Sequence, residues 1–179
     1  GLNVKEIKKQ EIIDYMNKNG IDFDPKISHS KGLLIANLFE ETCEEDLIQP
    51  VFIYDFPIDT TPLCKPLREY TQEQLKEMNC DPEKVIFAER FEPYVNKWEM
   101  GNSYTELNDP VLQRKLLEEQ VERGRAGEKE THPLDEDFLK AIEVGMPPTT
   151  GVGLGVDRLV MLLTNSHSIR DVIFFPLMR

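Results

Sequence analysis

Residues 89 to 106 constrain the fold more than any other stretch. The run from Glu89 to Glu106 is rich in strand-forming residues and is broken at Asn96-Lys97, a pair suited to the tight turn of a β-hairpin. A hairpin fixes an antiparallel pairing and its register. With Asn96 and Lys97 at the turn, Val95 faces Trp98 and Tyr94 faces Glu99, which sets Glu92 diagonal to Glu99 on one face. Two carboxylates so placed suit a hard divalent cation such as Mg²⁺, commonly held by one or two carboxylates together with substrate phosphates. Taken alone, the spacing fits two solvated strand carboxylates more readily. Asn102, Tyr104 and Glu106 alternate beyond Glu99 but fall on the opposite face. A bulge near Gly101 would turn them toward Glu92 and Glu99, and glycine inside a strand often marks one. The resulting face would offer an anion, an amide and an aromatic ring to an amine-bearing substrate; an ordinary polar strand surface is the alternative.

The chain of 179 residues is long enough for one packed domain. With 40% hydrophobic and 30% charged residues it has too many apolar anchors to be disordered. Apolar runs such as Val172 to Phe175 are far short of a membrane span, and no signal peptide is apparent, so a soluble, unsecreted protein is expected. A net charge of −12 excludes nucleic-acid binding through a generally basic surface, leaving only a local site for a polyanion. Cys43, Cys64 and Cys80 have neither disulfide nor zinc spacing and read as reduced thiols of the cytoplasm. His29, His132 and His167 are too scattered to suggest a ligand set.

Along the chain, Asn3 and Glu6 form a candidate capping box for a helix ending at Asn19-Gly20, and Ser30 caps a second helix reaching about Cys43. Val51 to Phe56 reads as a buried strand closed by Pro57. Residues 69 to 84 are polar, with a short helix at Thr71 to Met78, and read as a surface insertion. Asp109-Pro110 opens a helix whose face carries Val111, Leu112, Leu116, Leu117 and Val121 and which Gly124 stops. A charged loop, Arg125 to Thr131, precedes a helix capped by Asp135, with Phe138, Leu139 and Ile142 on one face and Gly145 at its end. Val172 to Phe175 is expected to form a last strand.

Gly151, Gly153 and Gly155 stand at alternate positions, so one face of a short strand lacks side chains and lets a flat ligand approach the backbone. They do not make a dinucleotide fingerprint, because Val156 occupies the position of the third glycine, and no phosphate-loop motif is present. Arg158 follows at the start of an apolar helix, where its guanidinium can stack on a base or pair with a phosphate. Tight packing of the glycines and a salt bridge at Arg158 are the alternative.

Together these pieces resemble a known family. Gly151-Val-Gly-Leu-Gly-Val-Asp-Arg158 resembles motif 3 of class II aminoacyl-tRNA synthetases. Glu89-Arg-Phe-Glu92, Glu99-Met-Gly-Asn-Ser-Tyr-Thr-Glu-Leu-Asn-Asp109, Gly145-Met-Pro-Pro-Thr149 and Thr164-Asn-Ser-His-Ser-Ile-Arg-Asp-Val-Ile-Phe-Phe-Pro176 are similar to lysyl-tRNA synthetases. Phe52-Ile-Tyr-Asp-Phe-Pro57 and Thr61-Pro-Leu-Cys-Lys65 extend the likeness to most of the chain from about residue 34 onward. The resemblance implies an α+β fold, an antiparallel sheet flanked by helices. It implies Glu92 and Glu99 as carboxylates for Mg²⁺ and ATP, and Asn102, Tyr104 and Glu106 as lysine-binding residues, with Glu106 toward the ammonium. Arg158 would contact ATP, with Gly153 and Gly155 bordering the adenylate.

The implied activity is ATP-dependent formation of lysyl-adenylate and transfer of lysine to tRNA(Lys), by a cytoplasmic homodimer. Such chemistry rests on positioning and charge neutralisation, so Arg158 and Glu99 are the expected catalytic groups and no nucleophilic side chain is needed. The anticodon-binding barrel and motifs 1 and 2 of the family have no counterpart here. The chain is therefore expected to be the C-terminal part of a catalytic domain, incomplete in aminoacylation by itself. Two other readings stand beside this one. A paralogue that attaches an amino acid to a protein tends to carry alanine where Gly153 stands and to diverge at the C-terminal stretch, whereas Asn165-Ser-His-Ser-Ile-Arg170 is kept here. A synthetase-derived binding module would retain the fold without turnover.

Overall fold

The structure is a computed structural model, and it describes residues 3–79, 81, 83–125 and 133–177. Six α-helices and five β-strands are formed among these residues.

Helix α1 (Lys9–Asn19) and helix α2 (Lys31–Thr42) pack against each other and build the main core, in which Ile12, Met16, Leu34, Ile35 and Leu38 meet Val85 and Phe87. Helix α1 ends at Gly20, whose φ of 67° lies in the left-handed region that glycine enters without penalty. Its start differs from the expectation. Asn3 closes a separate turn, accepting from the N–H groups of Glu6 and Ile7, and extended Lys8 divides that turn from the helix. Glu11 then caps the new end by accepting from Lys8 N at 2.9 Å. Helix α2 starts as expected, because Ser30 Oγ accepts from Leu33 N at 3.1 Å.

Strand β1 (Val51–Tyr54) pairs antiparallel with β2 (Arg90–Val95). Its burial alternates, so the expectation of a fully buried strand fails: Phe52 and Tyr54 are exposed at 55% and 62%, and pack edgewise and tilted on Phe91. Aromatic side chains raised the apparent apolarity of both faces although only one faces the core. Helix α3 (Gln72–Asn79) lies on the surface and is capped by Thr71, whose Oγ1 accepts from Gln74 N at 3.2 Å.

The hairpin turns at Asn96 and Lys97, both at positive φ (53° and 70°), and β3 (Trp98–Glu99) returns along β2 with Val95 opposite Trp98 and Tyr94 opposite Glu99. Farther along, β4 (Gly101–Thr105) pairs Phe91 with Ser103 and Arg90 with Tyr104. The return path thus carries one residue more than β2, a bulge at Met100 and Gly101, where Met100 N donates to Pro93 O at 2.8 Å. Gly101 is required there, since a Cβ would collide with the carbonyl oxygen of Gly153.

Helix α4 (Pro110–Arg125) is capped by Asp109 Oδ1, which accepts from Val111 N and Leu112 N. It continues through Gly124 rather than stopping there, and it buries Gln113, Leu117 and Gln120 while Val111 is 79% exposed. The expected charged loop after it lies outside the described residues, apart from Arg125 in the helix. Helix α5 (Glu136–Glu143) is capped by Asp135 and buries Leu139 and Ile142, leaving Phe138 partly exposed. Strand β5 (Thr150–Leu154) completes the antiparallel order β1-β2-β4-β5, with β3 on β2. Helix α6 (Val156–Thr164) follows at once. Val172 to Phe175 does not form a strand: it follows a short 3₁₀ turn, Phe175 has φ 54°, and Phe174 and Phe175 are over 90% exposed. Strand propensity without a pairing partner does not make a strand.

Candidate active site

The bulge gathers the polar residues. Before it, Tyr94 and Glu99 face each other; after it, Tyr104 lies opposite Arg90, so Glu92, Glu99, Asn102 and Tyr104 share one face of the sheet. Strand β5 extends that face with Gly153 opposite Asn102 and Gly151 opposite Tyr104. Helix α2 crosses the β1 and β2 end of the same face. Between them opens a cleft of about 1000 Å³, whose walls include Asn37, Phe39, Phe56, Arg90, Glu92 and Glu99.

Glu92 is only 4% exposed. One carboxylate oxygen is paired with Arg90, and the other lies 2.8 Å from the Tyr94 hydroxyl, which also reaches Glu44 Oε1 at 2.9 Å. Burial pushes the Glu92 pKa up against the opposing pull of Arg90 and Tyr94, and the charge of Glu99 adds to the rise. Glu99 is more open and meets Arg158, whose Nη1 donates to Glu99 O at 2.5 Å and lies 3.4 Å from Oε2. Arg158 stands in the first turn of α6, and its aliphatic stem lies over Gly155. A Cβ at Gly153 would meet only the Asn102 carbonyl oxygen at 3.5 Å, so the sheet surface there is open.

Glu106 follows β4 and is bridged to Cys64, with its N–H donating to Thr149 O at 3.0 Å. Its carboxylate occupies the space that a Cβ at Gly151 would fill. It is half-buried, accepts no hydrogen bond from another side chain among the described residues, and its pKa is raised by burial. Tyr104 beside it is likewise half-buried, with burial the main cause of its raised pKa. The Cys64 thiol, fully buried, is pushed up to about 12, chiefly by burial, and is therefore a neutral thiol.

Several residues of this face were missed by sequence reasoning. Arg90 donates from Nε to Asn102 Oδ1 at 3.1 Å and from Nη1 to Thr60 Oγ1 at 2.9 Å, pairs with Glu92, and lies 4.7 Å over the Phe56 ring. Arg90, Glu92 and Tyr94 alternate along one strand, and that period of two was the available signal. Thr60, Phe56 and Glu44 arrive from distant loops and carry no local signal.

No cluster of three metal-ligating side chains occurs among the described residues. The two carboxylates Glu92 and Glu99 are a donor set that fits a cation shared with substrate phosphates rather than one enclosed by protein. No helix among the described residues is long and apolar enough to cross a membrane.

Residues 4–179 match the family model described as tRNA synthetases class II (D, K and N). The chain belongs to that family. Within these class II synthetases, it is 42% identical over 178 residues to a lysine–tRNA ligase of Sulfolobus acidocaldarius, covering 99% of this chain and 33% of that protein. Lysine–tRNA ligases of Bacillus subtilis (43% over 175 residues, 98% of this chain, 32% of the relative) and Gloeobacter violaceus (51% over 150 residues, 84% and 27%) are similarly related. The chain spans about a third of the length of these class II relatives.

Proposed function

We propose that this face is the amino-acid side, with part of the nucleotide side, of a site that activates lysine with ATP. The observation that carries the reading is Glu106: a half-buried carboxylate with no cation paired to it among the described residues, beside Tyr104 and against Gly151 of the glycine-lined strand. A buried carboxylate gains most from a substrate ammonium, and an aromatic neighbour suits the aliphatic stem of lysine. The names of the relatives agree with that choice of amino acid.

In the proposed reaction a carboxylate oxygen of lysine attacks the α-phosphorus of ATP, the new O–P bond forms and the bond to pyrophosphate breaks. A hydroxyl at the 3′ end of tRNA(Lys) then attacks the lysyl carbonyl, an ester forms, the acyl–phosphate bond breaks and AMP leaves. Asn102, Tyr104 and Glu106 orient the amino acid; Arg158 holds the nucleotide where charge develops, with Glu99 beside it; Gly153 and Gly155 leave room for the adenylate. Glu92 and Glu99 would hold Mg²⁺, which when bound neutralises phosphate charge. The complete reaction, and the homodimer and cytoplasmic setting proposed with it, are assigned to the whole protein, of which this chain would be the C-terminal part of the catalytic domain and residues 69–84 an insertion.

Glu106→Gln tests the reading. It is expected to weaken lysine binding by about tenfold or more while changing ATP binding less than about twofold. Equal losses for both ligands would overturn it.

A further inference from the structure

Arg90 is nearly enclosed, its side chain 13% exposed, and it lies on the same face as the residues assigned to substrate. A guanidinium only donates hydrogen bonds, so every partner must present an acceptor. Its three directions are taken: Nε by Asn102 Oδ1, Nη1 by Thr60 Oγ1 and Nη2 by Glu92. The Phe56 ring covers its flat face. Thr60 and Phe56 belong to the segment after β1, so the guanidinium is held from outside the sheet while it holds two residues within it.

The consequence falls on Asn102. A carboxamide has an acceptor end and a donor end, and turning it over would set N–H against N–H at Arg90. Arg90 therefore selects one orientation: Oδ1 inward, Nδ2 outward. No side chain or backbone group among the described residues takes the Nδ2 protons, and the surface opposite, at Gly153, is open. This matters on a face carrying Glu92, Glu99 and Glu106, where a ligand with its own carboxylate meets three anions and needs a donor.

We propose that Arg90 is a positioning residue that locks the Asn102 carboxamide with its N–H groups toward the ligand, so that Asn102 receives the carboxylate end of the amino acid. Arg90 touches no substrate in this scheme and acts through Asn102. The inference rests on the amino-acid reading above and adds the group that orients it. The same ion pair opposes the burial of Glu92, so loss of Arg90 also raises the Glu92 pKa further.

The test compares L-lysine with 1,5-diaminopentane, which keeps the distal ammonium but has no carboxylate, by calorimetric titration of the chain. The variants are Arg90→Met, Arg90→Lys, Asn102→Ala, the Arg90→Met/Asn102→Ala double, and Glu106→Gln. Arg90→Met and Asn102→Ala are each expected to weaken lysine roughly ten- to hundredfold and the diamine less than about twofold. The double variant should be no worse than Asn102→Ala, because one residue acts through the other. Arg90→Lys keeps a cation near Glu92 but lacks the fork that spans three acceptors, and should lose lysine affinity while the chain still folds and unfolds cooperatively. That variant carries the test if Arg90→Met does not fold.

Equal losses for lysine and the diamine, multiplicative losses in the double variant, or full lysine affinity in Arg90→Lys would each overturn the positioning role. Glu106→Gln separates the two claims: if it weakens both ligands while Arg90 variants leave their ratio unchanged, only the Arg90 inference falls. If the parent chain binds neither ligand, the amino-acid reading and this inference fall together.

Discussion

Glu106 is held at its raised pKa by burial alone, and this sets a pH dependence on anything it binds. A proton and a substrate ammonium compete for the same carboxylate. Lysine affinity should therefore rise with pH through a pKa above the ordinary carboxylate value of 4.5 and level off beyond it. Stability without ligand should move the other way. A carboxyl group whose folded pKa exceeds its unfolded value stabilises the fold at low pH, and that contribution is lost as pH rises through the folded value. Lysine titrations across about pH 4 to 7 check the first trend, and Glu106→Gln should flatten it. An unchanged pH profile in the variant would assign the acid limb to another group. At this scale the common face of Asn102 and Tyr104 was legible from their alternation, while their turn toward Glu99 depended on the bulge at Gly101. Arg90 was not legible as a hub, since its partners Thr60 and Asn102 lie 30 and 12 residues away in sequence.

Among the elements, the bulge between β3 and β4 decides whether two sets of side chains meet or point apart. Gly101→Ala would press a Cβ into the Gly153 carbonyl, and neither strand backbone yields cheaply. The expected cost is about 1–3 kcal/mol in chemical denaturation, with weaker lysine binding than the lost stability alone explains. Parent-like stability and affinity would show that the register does not depend on this glycine. At the start of α6, Arg158→Ala removes a half-exposed side chain whose polar contacts go to Glu99. Nucleotide affinity should fall with unfolding nearly unchanged; retained nucleotide affinity would refute the role assigned to Arg158.

Element boundaries were legible where one side chain decides them, as at Ser30, Asp109 and Asp135, because capping is local. They were not legible where pairing decides them. Val172 to Phe175 has strand propensity but no partner, and β1 has aromatic residues on a face that the core does not cover.

For the molecule as a whole, the α+β fold class followed from the family resemblance, and the hairpin and the glycine strand became neighbours in one antiparallel sheet. What sequence could not show was how helix α2 closes over the β1 and β2 end of that sheet to make the cleft, since that packing is set by Phe39 against Phe56 and Tyr94 across long separations. The opposite face of the sheet exposes Phe52, Tyr54, Val152 and Leu154, and α6 exposes Leu163. An exposed apolar surface of this kind is a recognised mark of an interaction surface. It accompanies a chain that spans about a third of the length of its relatives.

Under the proposed reading, this chain carries an assembled, lysine-selective half of an adenylate-forming site. The most direct measurement is the thermal unfolding of the chain with a non-hydrolysable lysyl-adenylate analogue, with the aspartyl analogue as control, since a ligand that binds only the native state raises its stability by mass action. The proposed site should raise the unfolding temperature with the lysyl analogue and change it little with the aspartyl one. Equal shifts for both analogues, or no shift in a chain that unfolds cooperatively, would contradict it.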